Sequence, residues 1–521
     1  MTLPEEFTAR VLRELGQTEG RALCEALDGE PPVSVRLNPA KVFMDGERAG
    51  AAGATDAVEA AVAADAVGAT VGAGATKTVG ATERAEAIAA TGSSGAKISP
   101  LPGLKLTDSV PWCEEGYYLA ARPSFTLDTD FHAGAYYVQE AASQFVGRLL
   151  PREEFRGARI LDLCAAPGGK TTLYASLAGP EGLVVANEID RRRAGILADN
   201  VRKWGTGNVA VTACDPRLLG EQAGWFDVVA VDAPCSGEGM FRKDPAARGE
   251  WSQNNVRMCA ARQDAILRDA WWALRPGGTL IYSTCTFNRD EDEGTLERML
   301  AWAGEEVTEA AQVAVGTDWG IVCGAVGPFQ TFRFYPHRAR GEGFFAAVAR
   351  KAFDAGGRKR SETGSRRETV RRVRRSPIAP ADRGTIAEVS RWIREPERMH
   401  FAAVADTLYG WYAAQADAVR ELSAVLPVIY SGVALGQLFK GRLKPDPALA
   451  FFAGLNRGAL PAAELDAEQA LRYLRREEIA AAPLTEGLNL VCARGRALGF
   501  AKRIGARVNN MYPNSLRILM K

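Results

Sequence analysis

The sequence predicts an α/β protein built around an open, mostly parallel β-sheet. The first observation is a regular alternation beginning at Arg159, in which short apolar runs (ARILDLCA, GLVVANEI, NVAVTAC, FDVVAVDA) are separated by helical stretches. Such alternation is typical of βαβ units on a parallel sheet. The second is the turn RPGG, which leads into another apolar strand, LIYSTCTF. The third is a pair of further strand candidates, TFRFYPH and GEGFFAAVARK, which bring the count to about seven.

Length and composition set broad limits on the class of protein. A chain of 521 residues has room for roughly three domains of about 100 to 200 residues each. With 47% apolar and 24% charged residues, its composition is that of an ordinary soluble globular protein. The formal net charge of +1 gives no global sign of a polyanionic partner, so any contact with nucleic acid must depend on where the charges lie.

Changes in composition suggest the domain boundaries. We expect a small N-terminal α/β domain at residues 1–125, interrupted by a low-complexity Ala/Gly-rich insert at about 49–99. The α/β alternation falls within a main domain at residues 126–352, and a third region with a basic tail occupies residues 381–521. Between them, residues 353–380 form a linker whose most basic stretch has nine Lys/Arg and two Glu. Such a stretch is typical either of a solvated linker or of a contact with an RNA backbone.

The cysteines indicate a reducing compartment. They number nine, are scattered, and never form CxxC pairs with metal spacing, which argues against disulfides and a structural zinc site. The N-terminal stretch lacks the apolar core of a signal peptide, and no apolar run reaches the roughly 18 residues that a membrane span needs. We therefore expect a cytoplasmic protein that binds no metal and no membrane.

A glycine turn follows the first predicted strand of the main domain. In LDLCAAPGGKTT, Gly168 and Gly169 allow the backbone to approach a ligand, and Lys170 opens a helix. Ligands of open parallel sheets bind beyond the carboxyl ends of the strands, near helix N-termini. This motif matches neither GxGxxG nor GxxxxGK[ST], so it favours neither a dinucleotide nor a nucleoside triphosphate as the ligand. A simple tight connection remains the alternative.

Acidic residues end the next three strands. Glu188 follows the second strand, with Asp190 as a second choice, Asp215 follows the third and Asp232 ends the fourth. A carboxylate in the position of Glu188 can accept hydrogen bonds from ribose hydroxyls. A nucleoside with a ribose and no triphosphate, whose positive charge tolerates nearby carboxylates, matches S-adenosylmethionine. We expect this cofactor in the crevice.

Two cysteines follow strands that point toward the same crevice. Cys235 lies in APCSGEG and Cys285 in STCTFN, both among small or polar residues, whereas most cysteines in such a chain are small buried hydrophobes. C5 of cytosine is a poor nucleophile toward a methyl group, and addition of a thiolate to C6 activates it. The pair therefore suggests covalent catalysis on a pyrimidine, although the residues alone do not decide which cysteine attacks.

Six stretches carry a resemblance to a known family: YYVQEAAS, LDLCAAPGGKTT, VDAPCSGEGMFRKD, RPGGTLIYSTCTFNRDEDE, YPHRARGEGFFAA and GFAKRIGARVNNMYPNSL. They run from about Tyr136 to the C-terminus. With two cysteine motifs in this order, the chain resembles the Nop/Sun family of RNA 5-methylcytosine methyltransferases, in particular its bacterial 16S rRNA branch. The resemblance implies a class I, Rossmann-like methyltransferase domain and a PUA-like RNA-binding region at residues 381–521.

The resemblance also implies roles for individual residues. Cys285 would be the nucleophile that attacks C6, and Cys235 would assist breakdown of the covalent intermediate. Asp232 would orient the ring and protonate N3, with Lys170 near the target base. The cofactor would be held by Asp232 together with Cys164, Ala165, Ala166, Pro167, Gly168, Gly169, Lys170, Glu188 and Asp215.

RNA contacts are expected at two places. Arg242 and Lys243 follow Cys235 closely and could anchor the target phosphate, with a solvated pair as the alternative. In the C-terminal region the cations near glycine-containing turns fit phosphate contacts: Lys440, Arg442, Lys444, Lys502, Arg503 and Arg507. The expected partner is RNA, from 16S rRNA or the small ribosomal subunit, with tRNA as the alternative, and the protein is expected to be a monomer.

Two other function classes stay open at this point. A methyltransferase acting on protein or a small molecule would share the sheet and acids without needing paired cysteines, and an RNA-binding assembly factor could retain a relict cofactor pocket. The acids from Asp290 to Glu293 lie directly after the proposed nucleophile, where their charge would raise a thiol pKa. We expect these acids to cap the following helix.

Overall fold

A computed structural model describes residues 2–42, 101–353 and 377–520. Every element named below belongs to one compact unit, in which the structure describes residues 2–41, 106–353 and 377–520. The predicted insert at 49–99 and nearly all of the predicted basic linker lie outside the described residues.

The N-terminal elements build a four-stranded antiparallel sheet. Its order is β2-β3-β1-β4, and it is preceded by helix α1 (Glu5–Leu27), which contains an irregularity at Gly16. The last strand lies beyond the predicted boundary at residue 125, because Val138 pairs with Val35 across the sheet. Its strands are β1 (Ser34–Leu37), β2 (Leu106–Val110), β3 (Cys113–Leu119) and β4 (Tyr136–Val138), and the short helices α2 (Thr129–His132) and α3 (Arg152–Phe155) flank β4 in the chain.

The central sheet confirms the predicted α/β fold class. Five strands run parallel in the order β9-β8-β5-β6-β7, with β13 and β12 added antiparallel beside β9. These seven strands correspond to the predicted seven. Their continuous burial reflects a parallel sheet covered on both faces. The seven strands are β5 (Arg159–Asp162), β6 (Leu183–Asn187), β7 (Val209–Thr212), β8 (Phe226–Asp232), β9 (Leu274–Thr284), β12 (Phe329–Phe334) and β13 (Phe344–Lys351). Two further strands of the same sheet are β10 (Val307–Thr308) and β11 (Val322–Val326).

Helices connect these strands, and the order of connection creates a crevice. The chain runs outward from β5 through β6 to β7 and then returns to β8 on the other side of β5. Strand order therefore reverses between β5 and β8, and their loops diverge to leave room for a ligand. The helices are α4 (Gly169–Ala178), α5 (Arg191–Trp204), α6 (Pro216–Gly220), α7 (Pro245–Glu250), α8 (Gln253–Ala273) and α9 (Glu293–Ala303).

The C-terminal region contains two further sheets, ordered β14-β15-β16-β18-β19 and β20-β21-β22-β23. One strand from this region, β17, pairs antiparallel with β7 and, with β10 and β11, brings the central sheet to ten strands. The elements are β14 (Ile378–Pro380), α10 (Arg383–Ser390), β15 (Met399–Val404), β16 (Thr407–Tyr412), α11 (Ala416–Val425), β17 (Val428–Ser431), β18 (Val433–Phe439), β19 (Arg442–Pro445), α12 (Pro447–Phe451), β20 (Ala462–Glu464), α13 (Ala467–Arg475), β21 (Gly487–Ala493), β22 (Arg496–Ile504) and β23 (Arg507–Asn510).

Strand pairing therefore crosses two of the predicted domain boundaries, the one at residue 125 and the one at residues 353–380. The division of the chain into these domains remains a prediction. None of the helices that the structure describes is both long and apolar enough to cross a membrane.

Candidate active site

The glycine turn after β5 forms one wall of the crevice. Gly168 has a φ of 114°, a conformation that side chains disfavour, and a Cβ there would lie 3.0 Å from Leu197. The turn is held by its neighbours: the Ala165 N–H donates to the Asn187 carbonyl (2.8 Å), and Asn200 donates to the carbonyl of Pro167 (2.8 Å). The predicted cofactor loop, residues 164–170, therefore lies between β5 and the first turn of α4.

Lys170 points from α4 to the end of β8. Its Nζ lies 2.8 Å from Asp232 Oδ2, and the Ser283 hydroxyl donates to the other oxygen of the same carboxylate at 2.8 Å. Burial works against the charged form of Lys170, but the Asp232 carboxylate more than offsets it, so the pKa of Lys170 is raised. Lys170 therefore remains a cation beside Asp232.

The two cysteines meet because they follow adjacent parallel strands. Asp232 at the end of β8 is in register with Ser283 near the end of β9, so the next loops leave the sheet side by side. Cys235 Sγ lies 3.1 Å from Cys285 Sγ, and both residues are half-buried. The hydrogen bond to Cys285, together with burial, raises the pKa of Cys235 well above its ordinary value. Cys235 therefore keeps its proton.

Glu238 fastens the two cysteine loops to each other. It is fully buried three residues after Cys235 and accepts hydrogen bonds from the Phe287 N–H (3.0 Å) and from the Trp251 indole (2.8 Å). Close by, the Gly239 N–H donates to the Cys285 carbonyl at 2.8 Å. A Cβ on Gly239 would lie 2.3 Å from the Gly343 carbonyl oxygen, so this approach requires glycine.

The acids after Cys285 do not cap α9 as expected. Asp292 occupies the N-cap position, yet its side chain accepts no backbone hydrogen bond there. It accepts from the Thr284 hydroxyl (2.6 Å) and lies 2.9 Å from Arg333 of β12. Glu291 accepts from the Ser236 N–H (2.9 Å) and from Gln263 (2.8 Å). Burial raises the pKa of both carboxyl groups. The capping prediction is wrong because buried partners from distant segments take these side chains.

The remaining strand-end acids border the crevice. Glu188 is buried after β6, where one carboxylate oxygen accepts from the Asp190 N–H (3.1 Å) and the other lies 3.2 Å from Arg193. Asp215 after β7 caps α6 and pairs with Arg217 at 2.7 Å, with 39% of its side chain exposed. The glycine turn lacks a phosphate-binding motif, and carboxylates border it at successive strand ends. This arrangement suits a positively charged nucleoside as the ligand.

Two important residues of this region were missed by sequence reasoning. Arg36 of β1 is fully buried and donates to the Gly169 carbonyl (3.2 Å) and to the Thr172 hydroxyl (2.6 Å). Asp162, at the end of β5, is also buried and accepts from the Thr171 hydroxyl at 2.6 Å. Burial raises the pKa of Asp162 to about 7. Asp162 could have been predicted from its position at a strand end in LDLCAAPGGKTT. Nothing in the sequence indicates the role of Arg36.

The predicted RNA-contact residues divide into two groups. Arg242 is buried against Glu342 (3.1 Å) and donates to the Gly341 carbonyl, and Arg503 donates to the carbonyls of Gly505 and Leu484. Both guanidinium groups are thus engaged within the protein, which argues against their prediction as phosphate contacts. The others are exposed: Lys243, Lys440, Arg442, Lys444, Lys502 and Arg507.

This sheet order and crevice are those of the class I methyltransferases. Family models match the chain for the 16S rRNA methyltransferase RsmB/F at residues 148–350, the RsmF N-terminal domain at 85–141 and the RsmF PUA domain at 461–518. The chain belongs to the ribosomal RNA small subunit methyltransferase F family. It is 33% identical to that methyltransferase of Salmonella paratyphi A and 32% to that of Salmonella heidelberg, each over 81% of this chain and 86% of the relative.

Solved structures with a similar fold come from Pyrococcus horikoshii. One is NSun6 with SFG, at 21% identity and a TM-score of 0.48, covering 67% of this chain and 99% of the other. Another is a methyltransferase homolog protein, at 23% identity and a TM-score of 0.46, covering 67% and 95%.

Proposed function

We propose that the protein methylates C5 of a cytosine in small-subunit ribosomal RNA through a covalent adduct between Cys285 and C6. The observation that carries this proposal is the 3.1 Å approach of Cys235 Sγ to Cys285 Sγ, beside the Lys170–Asp232 pair. Methylation of a protein or of a small molecule does not require two such thiols at adjacent strand ends. Membership of the rRNA methyltransferase family supports RNA as the substrate.

The first step is attack by Cys285. Its sulfur adds to C6, and the electron pair of the C5=C6 bond moves toward C5 and the ring. We assign Asp232 to the N3 edge of the base, and its carboxylate is oriented by Lys170 and the Ser283 hydroxyl. A cytosine must leave its stack to reach these groups, since both faces of a stacked base are covered.

The second step is methylation and release. When bound, S-adenosylmethionine supplies an electrophilic methyl group, and we assign its binding to residues 164–170, Glu188, Asp215 and Asp232. C5 takes the methyl group, the C5 proton then leaves to a solvent base, and the C6–S bond breaks to restore the double bond. Cys235 retains its proton and donates a hydrogen bond to the departing Cys285 sulfur, which stabilises the thiolate.

The test is denaturing gel electrophoresis after incubation with S-adenosylmethionine and total bacterial RNA. The samples are wild type, Cys235→Ala, Cys285→Ala and the control Cys323→Ala, which replaces an exposed cysteine on β11. We expect only Cys235→Ala to accumulate a slower, nuclease-sensitive protein–RNA adduct, since its C6–S bond breaks slowly. Sequencing the trapped RNA then identifies the substrate, with tRNA as the other possible result.

Each other outcome contradicts part of the proposal. If only Cys285→Ala accumulated an adduct, Cys235 would be the nucleophile and Cys285 would assist breakdown of the adduct. Full activity of Cys285→Ala would favour a methyltransferase of another substrate class. If a calorimetric titration detects no binding of S-adenosylmethionine to the wild-type protein, the result would point to a non-catalytic assembly factor.

A further inference from the structure

Glu291, in the loop between β9 and α9, is a buried carboxylate without a cation. Its side chain is fully buried, and no lysine or arginine in the described ranges lies within ion-pair distance of it. The neighbouring Asp292, by contrast, pairs with Arg333. Taking a carboxylate out of water without a cation is costly unless hydrogen bonds compensate for the lost water. The burial of Glu291 therefore depends on its hydrogen-bond donors.

Three donors converge on this carboxylate from three segments of the chain. One oxygen accepts from the Ser236 N–H (2.9 Å) and from the Gln263 amide (2.8 Å), and the other accepts from the Asn288 amide (2.6 Å). The oxygen of the Gln263 amide accepts from the Thr295 hydroxyl. The oxygen of the Asn288 amide accepts from the backbone N–H of Glu291 itself. Both NH₂ groups are therefore donors, and all three contacts favour the ionised form of Glu291, although burial raises its pKa.

These contacts hold the backbone on both sides of Cys235. The N–H of Ser236, the residue after Cys235, donates to Glu291. The carbonyl of Pro234, the residue before it, accepts from Gln263 at 3.1 Å. Gln263 is fully buried on α8 and bonds to Glu291 as well. One connected pair of side chains thus fixes the segment that places the Cys235 sulfur 3.1 Å from the other thiol.

The charge of Glu291 acts on the same thiol. A negative charge close to a thiol disfavours the thiolate and so raises the thiol pKa. The hydrogen bond to Cys285, burial and the charge of Glu291 together raise the pKa of Cys235. The titratable groups around the two thiols and Glu291 come from β9, from α4, from α8 and from the loop after β8: Tyr282, Lys170, Cys259 and Glu238. Glu291 differs from these groups because it also binds the backbone next to Cys235.

We propose that Glu291 is a positioning residue that governs breakdown of the RNA–protein adduct through Cys235, an inference that rests on the proposed function. Its carboxylate, with Gln263, holds the Cys235 segment in place and keeps the proton on the Cys235 sulfur. As the C6–S bond breaks, its electron pair stays on the Cys285 sulfur, and the Cys235 S–H donates a hydrogen bond to that sulfur. The same hydrogen bond stabilises the free thiolate before attack, so weakening it slows breakdown of the adduct without slowing its formation.

The test compares Glu291→Gln with the control Glu297→Gln, which removes an exposed acid from α9. Formation and breakdown of the adduct are timed separately in single-turnover reactions with S-adenosylmethionine and small-subunit rRNA, which are quenched into denaturing gels. We expect Glu291→Gln to form the adduct within about twofold of the wild-type rate and to break it down roughly tenfold more slowly, because a hydrogen bond to a charged group is weakened. Glu297→Gln should match the wild type in both rates.

A second measurement does not require the methylation reaction. In the Cys285→Ser background, alkylation of Cys235 by iodoacetamide is followed against pH, and the Cys235 peptide is quantified by mass spectrometry. Loss of the negative charge favours the thiolate, so Glu291→Gln should move the midpoint of this profile to lower pH by about one unit, whereas Glu297→Gln should leave it in place. Gln263→Met loosens the same loop and keeps the charge, so it should slow breakdown of the adduct without lowering the midpoint.

Wild-type breakdown of the adduct in Glu291→Gln would overturn the proposal, as would equal slowing of formation and breakdown, which indicates a general loss of structure. Slow breakdown with an unmoved midpoint would overturn the part of the proposal that concerns the proton. A calorimetric titration with S-adenosylmethionine checks that each variant is folded, and if Glu291→Gln fails this check, Gln263→Met decides the proposal by the same kinetic criterion.

The same experiments separate this proposal from the proposed function. If Cys235→Ala accumulates no adduct, the proposed function fails, and the alkylation profile still decides whether Glu291 keeps the proton on Cys235. If Cys235→Ala accumulates the adduct and Glu291→Gln does not, only the assignment of Glu291 fails.

Discussion

The guanidinium of Arg10, in the first helix of the chain, lies 2.8 Å from the carboxylate of Glu238, and both side chains are buried. The same guanidinium stands over the rings of Phe7 and Trp251. Because Glu238 also accepts from the Phe287 N–H, α1 supports the segment that carries Cys285. The N-terminal helix is therefore part of the framework of the candidate active site.

Replacing Arg10 by Met should leave Glu238 as a buried charge without its cation. We expect the free energy of unfolding to fall by about 3 to 5 kcal/mol. The methylation rate should also fall, since Glu238 no longer holds the two cysteine loops firmly. Denaturant unfolding and single-turnover methylation measure the two effects. The double variant R10M/E238Q, which removes the charge as well, should recover part of the stability, and no recovery would contradict this explanation.

Adding one methyl group at Gly239 should displace Cys285, the proposed nucleophile. A Cβ there meets the Gly343 carbonyl oxygen at 2.3 Å and the Cys285 carbonyl oxygen at 2.9 Å, so Gly239→Ala must displace one of these segments. We expect about 1 to 3 kcal/mol of destabilisation and roughly a hundredfold loss of turnover. The control is Gly195→Ala on the exposed face of α5, where a Cβ has no neighbour within 4 Å. Equal activity of the two variants would refute the prediction.

Asp162 should make stability depend on pH. Burial raises its pKa from 3.8 to about 7, so the folded protein binds this proton more tightly than the unfolded chain does. Its contribution to stability is therefore complete below about pH 4 and is lost as the pH rises to about 7, by at most about 4 kcal/mol. Asp162→Asn should remove this decline in urea unfolding measured across the range, while the exposed-site control Asp318→Asn should retain it. A parallel decline in wild type and Asp162→Asn would disprove the assignment.

Arg36 should determine how firmly the glycine turn is held. Arg36→Met leaves the Gly169 carbonyl and the Thr172 hydroxyl without their buried donor, so we expect at least about 2 kcal/mol of destabilisation. Affinity for S-adenosylmethionine should drop roughly tenfold in a calorimetric titration, because the turn that we assign to cofactor binding loosens. Arg159→Met, which removes an exposed arginine at the other end of β5, is the control. Wild-type affinity in Arg36→Met would show that the turn is held by other contacts.

The features that could be predicted from the sequence are those that depend on consecutive strands and helices of the chain. Cys235 and Cys285 meet because β8 and β9 are parallel neighbours, and apolar runs separated by helical stretches were enough to indicate that arrangement. Side-chain pairs between distant segments were beyond the same reasoning. The prediction of Arg242 as an RNA contact does not account for Glu342, which binds it from far along the chain. The prediction of Asp292 as a helix cap does not account for Arg333, which pairs with it. Local rules for acids and bases fail where a buried partner arrives from elsewhere.

The pairing of β17 with β7 has a consequence for synthesis on the ribosome. Val211 of β7 pairs with Tyr430, a residue made roughly 200 residues later. At a synthesis rate of about 5 to 20 residues per second, the edge of β7 stays unpaired for on the order of 10 to 40 s before β17 is made. During that interval an apolar strand offers unpaired N–H and C=O groups to any passing chain. A nascent chain released before β17 is made would keep that edge open, so premature termination in the C-terminal region should yield aggregation-prone protein even though both cysteines are present.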